Sequence, residues 1–369
     1  MSLRYQDPEA ADPAYLLEAL ITTAREAHGG GALFAFASRD GVRILLDDPD
    51  FRAFLDRAPF DLVVGVDSVT DEAAIDELIR SAGEATGLTA RAFLHDRRTI
   101  FHPKLCWFQT TAGGKVFVGS GNLTVGGLAG NWEAYAELTL TPADLADHTA
   151  SWLAWADRHA PRLFPIDDPA VRTRAARNLR VARPRPAPVE RRPEEPAARA
   201  PLPEIAAVLL AEIPRAADRW KQANFDLNTF RNFFGADPAI SQRIFLWRLR
   251  RDGTVDGVEV RPTVSVRSRN YRVELDAASG LDYPTGDDRP IGAFLRVSVR
   301  QFRYILVMPG DPDYATAADL LTSGAGPRLE ARMRRHVFDP AEVEARWPLC
   351  PLLLTEDEPA EPDEAPPEE

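Results

Sequence analysis

Apolar residues run almost unbroken through GALFAFAS, residues 31–38, and through the start of FDLVVGVDSV, residues 60–69, which predicts two buried strands. Between them DDPDFRAFLDRA reads as a short helix. TDEAAIDELIRSAG then sets Ile75, Leu78 and Ile79 on one helical stripe behind Thr70 as N-cap. LTARAFLHD, TIFHPKLCWFQ, KVFVGS and EAYAELTL, from Leu88 to Leu140, predict four further strands. The next segment opens a helix with Thr141 as cap and Pro142 at the first helical position. This order of elements predicts an α/β fold, most simply a mixed sheet with helices on both faces.

The pattern breaks at ARPRPAPVERRPEEPAARAP, from Ala182, which is rich in Pro, Arg and Glu and poor in large apolar residues. It reads as an extended linker. Beyond it LPEIAAVLLAEIP reads as a helix, and ANFDLNTFRNFFG as a second short one ending at Gly235. RIFLWRLR, GVEVRPTVSVRSRNYRVEL and GAFLRVSVRQFRYILVM alternate apolar with polar or basic positions, the period of half-exposed strands. In the last of these Leu295, Val297 and Val299 fall on one side and Arg296, Ser298 and Arg300 on the other. The expected organisation is a catalytic domain over residues 1–180, a linker over 181–202, a β-rich domain over 203–354, and a disordered acidic tail over 355–369.

The chain has 369 residues, enough for two domains, and its hydrophobic content of 45% suits a folded protein. No apolar run reaches the length of a membrane span, and no basic-then-apolar leader opens the chain, so a cytoplasmic protein that contacts no membrane is expected. Cys106 and Cys350 provide neither a disulfide framework nor a zinc spacing. A net charge of −12 argues at first against nucleic acid as a partner. Its distribution changes that reading: eight acidic residues lie in the tail, which leaves −4 for the rest. Twelve arginines against eight acidic residues between Ser241 and Gly310 form a locally basic region.

The stretch IFHPKLCWFQTTAGGKVFVGSGNLTVGGLAGNWEAYAEL, residues 100–138, holds the candidate chemistry. His102 and Lys104 are two apart, so on one strand they share a face. Ser120 and Asn122 follow a strand in a glycine-rich turn, where small residues can bring donors up to an anion. Glu133 opens the next strand. Imidazole is a neutral nucleophile near pH 7, and Lys104, Ser120 and Asn122 can neutralise charge developing on phosphate oxygens. No metal or other cofactor is needed for such chemistry, and no ligand cluster with convincing spacing is seen.

These pieces, His102-x-Lys104, Gly119-Ser120-x-Asn122 and Glu133, resemble the phospholipase D superfamily, and within it the prokaryotic nucleases with one HxK motif per chain. The continuation GSGNLTVGGLAGNWEA is similar to the signature of metal-independent restriction endonucleases of that group. The family pattern also places an Asp five residues after the lysine, where this chain has Gln109. The resemblance implies a phosphohistidine intermediate, with Glu133 steadying the imidazole. It implies a homodimer whose two copies each give His102, Lys104, Ser120, Asn122 and Glu133 to one composite site. It further implies DNA, ahead of RNA, as substrate, a role in restriction or phage defence with partner proteins, and a C-terminal β-barrel that reads DNA. In that half Arg267, Arg269, Arg296 and Arg300 are the candidate substrate contacts.

Two rivals stand beside this reading: a phospholipid or small phosphodiester as substrate, and a catalytically silent binding protein. Each residue also has a plainer reading. An isolated histidine is more often a bonded structural group, a strand lysine can guard an edge, and outward arginines are usually solvated. His95, without a lysine two residues on, reads as structural or rim. His28, His148, His159 and His336 read as surface, and Cys106 as buried packing.

Overall fold

A computed structural model describes residues 1–97, 99–178, 202–215, 220, 222–237, 242–265, 271–285, 287–327 and 333–354. The linker, apart from Leu202, and the acidic tail lie outside the described residues. Those up to residue 178 belong to one compact unit and those from residue 202 to a second. No helix among them is long and apolar enough to cross a membrane.

The first unit is built on eight strands: β1 (Ser2–Gln6), β2 (Gly29–Phe34), β3 (Phe60–Gly65), β4 (Leu88–Phe93), β5 (Lys104–Thr110), β6 (Gly113–Gly119), β7 (Glu133–Leu140) and β8 (Leu163–Pro165). They form one sheet in the order β1-β7-β6-β5-β2-β3-β4-β8. β2, β3 and β4 run parallel, and every other neighbour pair is antiparallel. Five α-helices lie between them, α1 (Leu16–Ala24), α2 (Arg39–Leu46), α3 (Pro49–Leu55), α4 (Glu72–Glu84) and α5 (Pro142–Arg158), and α6 (Pro169–Ala175) follows β8. The adjacent residues Trp107 and Phe108 of β5 point to opposite faces and show how both are covered. Phe108 meets Phe51 and Phe54 of α3, with ring centroids 6.3 and 5.8 Å apart. Trp107 meets Trp152 of α5 at 5.1 Å. The mixed sheet with helices on both faces is the arrangement expected from the pattern.

Thr141 caps α5 as expected, in a reciprocal capping box with Asp144 and with Pro142 in the first turn. The cap of α4 is Asp71, whose carboxylate accepts the Ala74 N–H, and not Thr70. Thr70 is buried, and its hydroxyl takes the Ala37 N–H at 3.0 Å. His148 is half-buried. Its ring packs against Trp107 at 5.1 Å, and its Nε2 is buried without a hydrogen-bond partner among the described residues.

Burial holds the His148 pKa below the ordinary histidine value, because the charged ring loses its water. The folded chain then binds this proton less readily than the unfolded chain. Stability from His148 is full above the unfolded pKa, near 6.5, and declines as pH falls from there through the folded value. The melting temperature of wild type relative to His148→Leu is therefore expected to drop between pH 7 and pH 5. A constant difference across that interval would contradict the assignment.

In the second unit β9 (Ala207–Glu212), β10 (Gln222–Phe225), α7 (Leu227–Asn232), β11 (Arg243–Leu249), β12 (Val255–Pro262), β13 (Val264–Ser265) and β14 (Tyr271–Glu274) come first. β15 (Ile291–Ser298), β16 (Gln301–Val307), α8 (Tyr314–Ala325), β17 (Arg335–Phe338) and α9 (Pro340–Arg346) follow. Six strands form a sheet in the order β12-β11-β16-β15-β9-β17, and β10-β14-β13 form a second among the described residues. The segment expected as the first helix here is strand β9, set between β15 and β17. Leu209 and Ala211 enter one buried cluster, Val208 and Leu210 another. A strand buried on both faces is apolar at every position, so its period of two is hidden and the run passes for a helix.

β9 ends on Glu212, whose buried carboxylate accepts from the Arg334 Nε at 3.1 Å and backbone N–H at 2.9 Å and pairs with Arg289 at 3.4 Å. A second buried carboxylate, Glu259, takes the Tyr304 hydroxyl, the Asp276 N–H and the Arg261 guanidinium. Burial raises its pKa despite these partners.

Candidate active site

β5 starts at Lys104, and His102 precedes it across Pro103, which has no N–H to give a ladder. His102 is therefore in the loop that enters the strand. The two side chains meet all the same: the Lys104 ammonium lies 2.9 Å from Nε2 and 3.2 Å from Nδ1 of His102. The ring is exposed and meets Phe36 edge-on, 5.7 Å between centroids.

β6 ends at Gly119, and Ser120 turns its hydroxyl onto the Glu133 carboxylate while accepting the Ala134 N–H at 3.1 Å. The Asn131 amide donates to the other Glu133 oxygen at 3.4 Å. Within one chain this carboxylate therefore steadies Ser120, and no bond joins it to His102 among the described residues. Asn131 was not among the candidates, although it belongs to the Asn-x-Glu run that carried the resemblance.

Asn122 is fixed to the end of β2. Its Oδ1 accepts the Phe36 N–H at 3.3 Å, and Leu123 forms a parallel bridge with Ala37. Phe36 thus touches both His102 and Asn122, a linking role no sequence signal announced. The five candidates converge at the carboxyl end of β2, the edge of an open α/β sheet where ligands commonly bind. Two glycines make this approach feasible. A Cβ on Gly127 would lie 2.4 Å from the Asn122 nitrogen, and one on Gly121 would lie 2.5 Å from the Gly127 carbonyl oxygen.

The turn beyond is held from the other end of the unit. The Gln6 amide, at the end of β1, donates to the carbonyls of Gly126 at 3.3 Å and Asn131 at 2.9 Å. Its own oxygen accepts the Leu16 N–H at 2.9 Å.

Gln109 is five residues beyond Lys104, at the opposite end of β5, about 17 Å away at the rise of a strand. Its carbonyl accepts the His28 N–H at 2.9 Å. Its side chain at that distance cannot touch the imidazole. His95 is structural: Nδ1 accepts the Arg97 N–H at 3.2 Å, and Nε2 is 4.0 Å from Asp67, which Arg174 holds at 2.5 Å. Cys106 is buried, and burial pushes its thiol pKa well up, away from the thiolate a nucleophile needs.

Of the four candidate arginines in the second unit, Arg267 and Arg269 lie outside the described residues. Arg296 donates to the carbonyls of Ile205 at 2.8 Å and Asn232 at 3.1 Å and lies over the Phe233 ring. Arg300 is only 2% exposed, in a left-handed turn (φ 59°) between β15 and β16, and donates inward to the Arg243 carbonyl at 3.2 Å. A phosphate cannot reach Arg300 there. The alternation that suggested an outward basic row stops at this turn. Among the described residues no group of three or more His, Cys, Asp or Glu side chains could hold a metal ion.

No protein-family model matches the sequence, and no curated protein is similar to it. Among solved structures the chain is similar to a phospholipase D family member, Nuc from Salmonella typhimurium, with 15% identity over 44% of this chain and 95% of that one, at a TM-score of 0.34. It is similar to NucT from Helicobacter pylori, with 14% identity over 44% of this chain and 97% of that one, at a TM-score of 0.32. It is also similar to the N-terminal domain of Helicobacter pylori LlaJI.R1, with 11% identity over 36% of this chain and 98% of that one, at a TM-score of 0.27.

Proposed function

We propose that this chain is a metal-independent phosphodiesterase, a DNA endonuclease that works through a phosphohistidine in a site shared by two copies. The observation that supports this best is the exposed His102 imidazole held 2.9 Å from the Lys104 ammonium, with Asn122 and the Ser120–Glu133 pair at the same sheet end. A phosphodiester repels anionic nucleophiles, and a neutral imidazole escapes that repulsion.

His102 of one copy attacks phosphorus, forming an N–P bond as the P–O bond to the leaving strand breaks. The imidazole of the other copy, protonated, gives its proton to the leaving oxygen. The same ring then takes a proton from water as the water oxygen displaces His102 from phosphorus. Lys104 and Asn122 donate to the non-bridging oxygens, where charge builds, and Glu133 sets a negative charge near the imidazolium. The family resemblance extends the proposal to restriction or phage defence beside partner proteins.

The test is cheap. Purified protein incubated with supercoiled plasmid in EDTA is expected to nick and linearise it at the rate seen with added magnesium. Intact plasmid in EDTA together with cleavage on adding magnesium would overturn the mechanism.

A further inference from the structure

The parallel strands β2, β3 and β4 all end at the sheet edge that carries His102, and each runs into a segment with an exposed polar side chain. Arg39 follows β2, Ser68 follows β3 and Arg97 follows β4. Neighbouring strands are about 4.8 Å apart, so in the sheet order β5-β2-β3-β4 this row starts at His102 and Lys104 and extends about 15 Å past them.

The chain is tied down along the row. The Ser38 N–H donates to the Leu123 carbonyl at 3.0 Å, and a Cβ on Gly41 would lie 2.2 Å from that oxygen. The first turn of α2 is thus seated against the residue after Asn122. The loop after β3 is braced by Asn178, whose amide donates to the carbonyls of Val66 at 2.7 Å and Thr70 at 3.0 Å. Within that brace Ser68 holds a left-handed backbone (φ 54°), which is costly for a residue with a Cβ and gathers at binding sites. A Cβ on Gly65, the last residue of β3, would lie 3.2 Å from the Phe101 carbonyl oxygen, which places the residue before His102 at the end of that strand.

Acidic partners are plentiful in this chain, 56 Asp and Glu against 44 Lys and Arg. Other arginines of the unit find them, as Arg25 finds Asp50 and Arg91 finds Asp61. The guanidinium groups of Arg39, of Arg97 and of Arg43, four residues along α2, pair with no acid among the described residues, although Asp40 and Asp96 are next in sequence to two of them. Like charges four apart on a helix repel, and an anion beside them removes that repulsion.

We propose that Arg39, Ser68 and Arg97 form a track for the polynucleotide strand, holding the phosphates beside the one that His102 attacks; the idea rests on the nuclease reading above. Phosphates of one strand follow one another every 3.4 Å or so of helix axis, so a row of about 15 Å spans about four of them. A guanidinium fork donates to two oxygens of one phosphate, and a serine hydroxyl adds a neutral donor.

The test compares wild type with an Arg39→Ala/Arg97→Ala chain, in EDTA throughout. Both side chains are exposed, so the variant is expected to keep the wild-type melting temperature. Binding of a fluorescent DNA oligonucleotide, followed by anisotropy between about 50 and 200 mM salt, is expected to weaken at least about tenfold. The slope of log affinity against log salt should become shallower by about 1.5, the share of two phosphate contacts. Arg39→Lys/Arg97→Lys, which retains both charges, should restore most of that slope. Arg25→Ala, beside the amino end of β2, should leave affinity and slope unchanged. Oligonucleotide kcat/KM should fall at least about tenfold in the double alanine variant, while cleavage of bis(p-nitrophenyl) phosphate, a diester without flanking phosphates, stays at the wild-type rate. A double alanine variant with wild-type affinity and slope would overturn the track. So would an equal loss on both substrates, which would put the arginines in the chemistry. A wild type that cleaves neither substrate, but whose salt slope the double variant lowers, refutes the nuclease reading and leaves the track standing. A wild type that cleaves both, with the slope unchanged in the variant, does the reverse.

Discussion

His102→Ala is expected to lower plasmid cleavage in EDTA by roughly 10⁴-fold or more, the scale on which removing a nucleophile acts. The loss should be of chemistry and not of structure. The ring is exposed, it meets Phe36 edge-on, and no strand ladder depends on it. Melting temperature and oligonucleotide binding are therefore expected to stay near wild type. Lys104→Met should fall between the two, about 10²–10³-fold down, because it removes one donor to the developing charge and leaves the nucleophile in place. Single-turnover cleavage followed on gels separates these cases. A His102→Ala protein that still cuts within tenfold of wild type would remove the imidazole from the mechanism, and with it the reason for a two-copy site.

The largest stability effect is expected in the second unit, from Glu212→Ala. The Glu212 side chain is fully buried and takes Arg334 and Arg289 together. Removing it leaves two guanidinium groups, 11% and 18% exposed, without their shared counter-charge. Breaking a buried ion pair from one side costs about 3–5 kcal/mol. At about 2–4 °C per kcal/mol for a unit of this size, the melting temperature should drop by about 10 °C. Glu212→Gln, which retains an acceptor, should fall less. A Glu212→Ala chain that melts with wild type would mean the two arginines find other partners or water.

Most of the first sheet was legible because its strands are short apolar runs bounded by turn residues, and Thr141-Pro142 announced α5 in full. The clustering of the candidate residues at one end of the sheet could be read for a different reason. His102, Lys104, Ser120, Asn122 and Glu133 lie close in sequence, on or beside the ends of the neighbouring strands β5, β6 and β7, so sequence proximity became spatial proximity. What stayed hidden depends on distant partners. β1 carries exposed Leu3 and Tyr5 and gains its place only by pairing with β7. Phe36 reads as core until Asn122 takes its N–H. β9 reads as a helix because both of its faces are buried. Arg300 reads as an outward strand residue because nothing in its neighbours reveals the left-handed turn that points it inward.

The placement of β1 has a consequence for the order in which the molecule can be made. β1 pairs only with β7, which ends at Leu140 and is itself hydrogen-bonded to β6. Until that stretch has emerged, Gln6 has no Gly126 and Asn131 carbonyls to hold, and the turn that positions Asn122 is unbraced. Closure of the sheet around β1 is thus a long-range event, of the slow kind that high contact order imposes.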